Sequence, residues 1–163
     1  PASQNILIDK GETDGVFEKQ TVIDSSGLVG QVIEVSKQYS RVMLITDLNS
    51  FVPVAVLRNN LRLMLQGMGM SEKLQLLHVN PTADIRVGDL LISSGLGERF
   101  PAGYPVGLIN AIDYVEGRPF VDVTATPKSG LDRSQHLLLV FSENSVSVAE
   151  NGQAPLEISR FAD

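Results

Sequence analysis

The sequence contains no cysteine, no tryptophan and only two histidines among its 163 residues. Without cysteine, neither a disulfide framework nor a thiolate metal site is possible, and the redox compartment stays open. His78 and His136 stand far apart and in no zinc or calcium-loop spacing, so the residues point to no metal and no cofactor. Cations are scarce as well: 13 Lys and Arg face 19 Asp and Glu, a formal charge of −6. Phosphate neutralisation needs clustered Lys and Arg, and Arg58 with Arg62 is too sparse a patch, which argues against a nucleic-acid partner. No apolar run approaches the roughly 18 residues that a membrane helix requires.

What remains is strand and turn material. Apolar residues make up 43% of the chain, enough for a real core, and 14 Gly and 8 Pro punctuate them. Short apolar runs recur at 6–8, 21–24, 27–35, 41–46, 51–57, 61–66, 74–79, 89–93, 106–112, 119–126 and 136–141, and no segment sustains a helical period. Within GLVGQVIEV (27–35) neither face is purely polar, as in a small closed barrel or a packed pair of sheets. Ser25-Ser26 and Arg58-Asn59-Asn60 read as turns, and Pro53 predicts an edge strand or a bulge. LRLML (61–65) could start a helix, but GMG at 67–69 would stop it at once, so it is read as a strand. From residue 143 onward the text turns polar, with four acids against one Arg, and reads as a tail.

Two parts of the chain echo each other. VFEKQTVID (16–24) aligns without gaps on IRVGDLLIS (85–93), placing Val22 with Leu91; VGQVI (29–33) matches VGLIN (106–110), and VMLIT (42–46) matches FVDVT (120–124). The offset rises from 69 (Val16 to Ile85) to 77 (Val29 to Val106), so the second copy gains eight residues between these two matches, inside SSGLGERFPAGYPVG (93–107). Duplication predicts two similar β-units with a boundary near residue 70.

The expanded loop is the natural place to look for chemistry. A nucleophilic Ser93 or Ser94 needs a histidine base and an acid to orient it, and neither histidine sits in such a local constellation. Ser94 also lacks the G-x-S-x-G spacing of a nucleophile elbow. Gly95-Leu96-Gly97 and Gly67-Met68-Gly69 are bare GxG pairs without a following helix, and PKSG (127–130) has no upstream glycine loop, so no phosphate cradle is indicated. Arg99, Phe100 and Tyr104 remain, carried between glycines and prolines. Such residues on a projecting turn are favoured binding anchors, although Phe100 could equally plug a barrel end.

The string GLVGQVIEVSKQYSRVMLITDLNSFVPVAV, followed by ADIRVGDLLISSGLGERFPAGYPVGLI and then P-x-SGLDRSQHLLLV, resembles the periplasmic domain of the rod shape-determining MreC family. The resemblance runs from about residue 5 to 142. It implies an all-β fold of two small six-stranded-type barrels packed together, here 1–70 and 71–142, with 143–163 as an acidic tail. It also implies a non-catalytic scaffold on the periplasmic face of the bacterial inner membrane, held by an N-terminal helix and coiled coil preceding this fragment. The partners it implies are the class B penicillin-binding transpeptidase of elongation, MreD, RodZ and, indirectly, MreB, together with self-association into dimers or filaments. Expected partner-binding residues are Arg99, Phe100 and Tyr104, with Phe51 and Tyr114 as second choices. Two other classes stay open: a chymotrypsin-like hydrolase, which needs His78 or His136 beside a Ser and an acid, and a glycan- or lipid-fragment-binding module, which needs a concave pocket.

Overall fold

The computed structural model describes residues 3–69, 73–130, 136–142 and 145–150, the side chains of 142–150 excepted. The fold is all-β, and among the described residues no helix exceeds a three-residue 3₁₀ turn. The chain divides into two units: Pro1–Gln4 with Ile45–Lys128, and Asn5–Leu44 with Ser129–Asp163.

The first unit is a closed barrel of six antiparallel strands: β5 (Phe51–Val56), β6 (Arg62–Gly67), β7 (Leu74–Val79), β8 (Leu90–Ser93), β9 (Pro105–Asp113) and β10 (Val121–Pro127). Around the barrel the order is β5-β6-β7-β10-β9-β8 and back to β5. In β10 the two-residue period of a strand is plain: Val121, Val123 and Ala125 are buried, while Asp122 and Thr126 face out. Each buried Val or Leu contributes about 1.5–3 kcal/mol over exposure, so this inner set is what closes the barrel.

The second unit is a six-stranded sheet built from both ends of the chain: β1 (Asn5–Ile8), β2 (Thr21–Ile23), β3 (Leu28–Val35), β4 (Ser40–Leu44), β11 (His136–Ser142) and β12 (Ser145–Glu150). Its order is β1-β4-β3-β2-β11-β12, and Ile8, Val22, Val32, Val42, Leu137 and Leu139 lie in its core.

The internal echo is a topological repeat. The antiparallel run β2-β3-β4 corresponds to β8-β9-β10; β1 flanks β4 as β7 flanks β10, and β11 flanks β2 as β5 flanks β8. Register agrees too: Gly30 faces Val22, and Gly107 faces Leu91, the residue aligned with Val22. At both glycines a Cβ would run into backbone of the following strand, the Met43 carbonyl at Gly30 and the Thr126 carbonyl at Gly107. Glycine inside a strand marks such close backbone approach at a tight bend. The units differ at one seam. β6 pairs with β7 to close the barrel, whereas among the described residues β12 and β1 are the two edges of an open sheet.

Three expectations are corrected. The division does not fall at residue 70: β11 returns to pair with β2 (Leu138 with Ile23, Leu139 with Val22), so the open sheet begun by β1–β4 is completed by the C-terminal strands. The expected tail contains β12, paired along β11 from His136–Glu150 to Ser142–Ser145; the alternating Ser-Val-Ser-Val of 145–148 is its signal, overshadowed by the acids around it. Residues 143, 144 and 151–163 of that tail lie outside the described residues. Pro53 is on no edge, because β5 pairs with β6 on one side and β8 on the other. The β8 ladder starts at Val54–Ser93, so the missing proline N–H falls just beyond it, while the Pro53 carbonyl accepts the Ser94 N–H at 3.0 Å.

Candidate partner-binding site

All five expected binding residues lie in the barrel, but at opposite ends of β9. The expanded loop joins the end of β8 to the start of β9, and antiparallel pairing places Phe51, at the start of β5, at that same end. Tyr114 follows the far end of β9, roughly 26 Å of extended strand away.

At the loop end, Ser93 is fully buried and structural. Its hydroxyl donates to the Pro101 carbonyl at 2.6 Å and accepts the Tyr104 N–H at 2.9 Å, while its backbone pairs with Tyr104 and Gly103. Gly95 supplies the left-handed conformation (φ 77°) at which the chain leaves the strand. Phe100 is 4% exposed and therefore belongs to the packing of the barrel unit, not to a contact surface. Arg99 is exposed and reaches back to the Phe51 carbonyl at 3.3 Å, joining the loop to β5. Phe51 and Leu96 are exposed apolar groups and Tyr104 is half-buried. Thus the structure brings Arg99, Tyr104 and Phe51 to one end, withdraws Phe100, and leaves Tyr114 apart.

The opposite end holds a cleft of about 330 Å³ that the sequence reading missed. It lies between the residues after β7 and the β9–β10 hairpin, with Pro81, Tyr114, Val115 and Phe120 as apolar walls and Glu116 and Arg118 among its lining. Tyr114 and Phe120 are 60% and 44% exposed. His78 is exposed and stands edge-on to Phe120, ring centroids 5.1 Å apart at 66°. It occupies a β-bulge: Val121 faces Val79 but Val123 faces Leu76, so β7 carries an extra residue, and His78 takes φ 53° there. The only sequence signal was the pair of aromatics flanking the turn residues Gly117 and Pro119.

The 80–89 connection that supplies Pro81 is tied at both ends. Asn80 folds its own turn by accepting from Thr82 N–H and Oγ1, and the Arg58 guanidinium clamps Asp84 and Asp89 at 3.0–3.1 Å. Hydrogen bonds from Arg58 hold both carboxyl groups below the usual carboxylate range, and the two acids raise Arg58 in turn. Depressed folded-state carboxyl pKa values mean that the unfolded chain binds more protons as pH falls through the ordinary range near 4, so the clamp's stabilisation is present above it and fades below. Thermal midpoints of the native chain should therefore fall more steeply between pH 5 and 2 than those of Asp89→Asn, measured by circular dichroism; parallel curves would refute the clamp.

The family description "Rod shape-determining protein MreC, barrel core" matches residues 1–141. The chain belongs to the MreC family. It is 42% identical over its whole length to the cell shape-determining protein MreC of Escherichia coli (strain K12), of which it spans 44%. A crystal structure of MreC from Pseudomonas aeruginosa superposes with a TM-score of 0.83 at 52% identity, covering 86% of this chain and 91% of that one. A complex between penicillin-binding protein PBP2 and MreC from Helicobacter pylori is similar in fold alone, at 19% identity and a TM-score of 0.56 over 82% of this chain and 78% of that one. The all-β architecture expected from the resemblance is thus the architecture of MreC, with one six-stranded unit closed and the other open.

Proposed function

We propose that the chain is the periplasmic β-domain of a non-catalytic scaffold of bacterial cell elongation, and that it holds the class B penicillin-binding transpeptidase of lateral wall synthesis. The observation that carries this reading is the loop end of the barrel: Phe51 and Leu96 exposed beside Arg99 and Tyr104, on a connection stiffened by the buried Ser93 hydroxyl. A preformed surface loses little entropy on binding, so a few anchors suffice for affinity. The family's cell-shape role and the penicillin-binding protein bound by the Helicobacter pylori relative support the choice of partner. MreD, RodZ, self-association and an indirect link to MreB complete the proposed assembly. An inner-membrane helix and a coiled coil, implied for the longer protein, raise local concentration and valency.

Binding of the soluble transpeptidase ectodomain to the immobilised chain, followed by interferometry, tests this. Phe51→Ala combined with Tyr104→Ala should raise Kd at least about tenfold, equivalent to about 1.4 kcal/mol. No binding by the native chain would overturn the partner, and native-like binding by the folded double variant would overturn the site.

A further inference from the structure

The far end of β9 offers a second interaction surface with its own chemistry. Its walls are the two most exposed large apolar groups of the hairpin, Tyr114 and Phe120, with Pro81 and Val115 completing an apolar trough. Its charges are unbalanced: residues 113–122 contain Asp113, Glu116 and Asp122 against the single cation Arg118. Asp113 and Asp122 sit directly opposite each other across β9 and β10, a register that places like charges side by side and is unfavourable. Arg118 donates to Asp122 at 3.0 Å and so neutralises one of the two. Of the other two acids, Glu116 lines the cleft and Asp113 directly precedes its wall residue Tyr114 in the chain.

We propose that this cleft docks an extended partner segment bearing Lys or Arg, whose aliphatic stem lies on Tyr114 and Phe120 and whose cation meets Glu116 and Asp113. The chemistry is doubly matched. Aromatic faces attract cations, and a long basic side chain buries its stem while keeping its charge in water. A bound cation also relieves the Asp113–Asp122 repulsion that Arg118 alone only half offsets. The cleft is ready-made: Arg58 clamps the connection that carries Pro81, and the His78 bulge sets its ring against Phe120. This inference stands apart from the transpeptidase reading, because the loop that carries that reading lies at the other end of β9.

The test is ¹⁵N NMR titration of the full 163-residue chain with the heptapeptide Gly-Lys-Pro-Lys-Leu-Lys-Gly and its counterpart with Glu in place of Lys. The expected result is saturable shifts at residues 78–82 and 113–122 with the Lys peptide only, weakening as salt rises because exposed charges are screened. Glu116→Lys should raise Kd at least about tenfold, and Tyr114→Ala by a similar factor, with amide shifts elsewhere in the barrel unchanged. No saturable shift in the native chain, equal response to both peptides, or shifts confined to 94–104 would each overturn the proposal. So would muropeptides producing the same shifts while the Lys peptide produces none, which would make the cleft a glycan-fragment site. The native-chain titration decides the matter even if a variant fails to fold.

Discussion

Gly30→Ala is expected to unfold the open sheet while the barrel of β5–β10 stays folded. The added Cβ would lie against the Met43 carbonyl carbon and oxygen and the Leu44 Cα, all of them backbone. A side chain in the way can change rotamer; a strand cannot. To admit the methyl group, β4 must withdraw from β3 at Gly30–Leu44 and Gln31–Met43, the two pairs at the Leu44 end of their ladder. Overpacking a core with side-chain relief costs about 1–3 kcal/mol, and here that relief is missing, so a loss of at least about 3 kcal/mol is expected. That is a large share of the roughly 5–15 kcal/mol that holds a domain folded. Native-state hydrogen exchange gives the readout. Amides of β2, β3, β4 and β11 should lose protection while those of β5–β10 keep theirs, and unchanged exchange at Gln31 and Met43 would show the expected clash to be absent.

Asp24→Ala should cost about 3 kcal/mol in the same unit. The Asp24 carboxylate is 4% exposed and accepts three backbone N–H groups: Ser26 at 2.8 Å, Gly27 at 2.9 Å and Gly130 at 2.8 Å. Two of these shape the turn between β2 and β3, and the third fastens residue 130 on the approach to β11. Hydrogen bonds to an ionised acceptor contribute about 1.5–3 kcal/mol each, and a buried donor left without a partner costs its desolvation. Truncation here strands more than one donor at a time. Asp24→Asn keeps one acceptor oxygen and should fall between the native chain and the alanine variant. Urea unfolding of the three proteins checks the order, and an alanine variant as stable as the native chain would remove Asp24 from the account.

How far the fold could be read from sequence depended on whether the signal was local. Strand existence was local: period-two apolar runs and Gly, Asn and Pro turns placed β1–β11, and Asn60 adopts the left-handed conformation (φ 59°) its turn position implied. The echo was legible because strand order and glycine spacing survive duplication, down to Gly30 and Gly107 at equivalent bends. Partner choice was not local. Nothing in HLLLVF says that it pairs with TVI across the whole barrel, which is why a division at residue 70 looked natural. The site divided in the same way. Arg99, Phe51 and Tyr104 were placed by residue type and meet at one end of β9, whereas Phe100 has the same composition around it and points inward. The cleft depended on a bulge at His78 and on a proline connection pinned by Arg58, both consequences of long-range register that no window of sequence displays.

The insertion of the barrel between β4 and β11 also sets a timetable for synthesis. β1–β4 emerge from the ribosome first, and the outer edge of β2 then waits for β11 while the entire stretch Ile45–Lys128 is made. At about 5–20 residues per second, that wait is on the order of ten seconds. The barrel needs no strand from outside its own run and can close during the interval. The first four strands meanwhile present an unpaired apolar edge, the kind of edge that invites pairing with another chain. Nascent β1–β4, rather than the finished protein, is therefore where a chaperone would have most to protect.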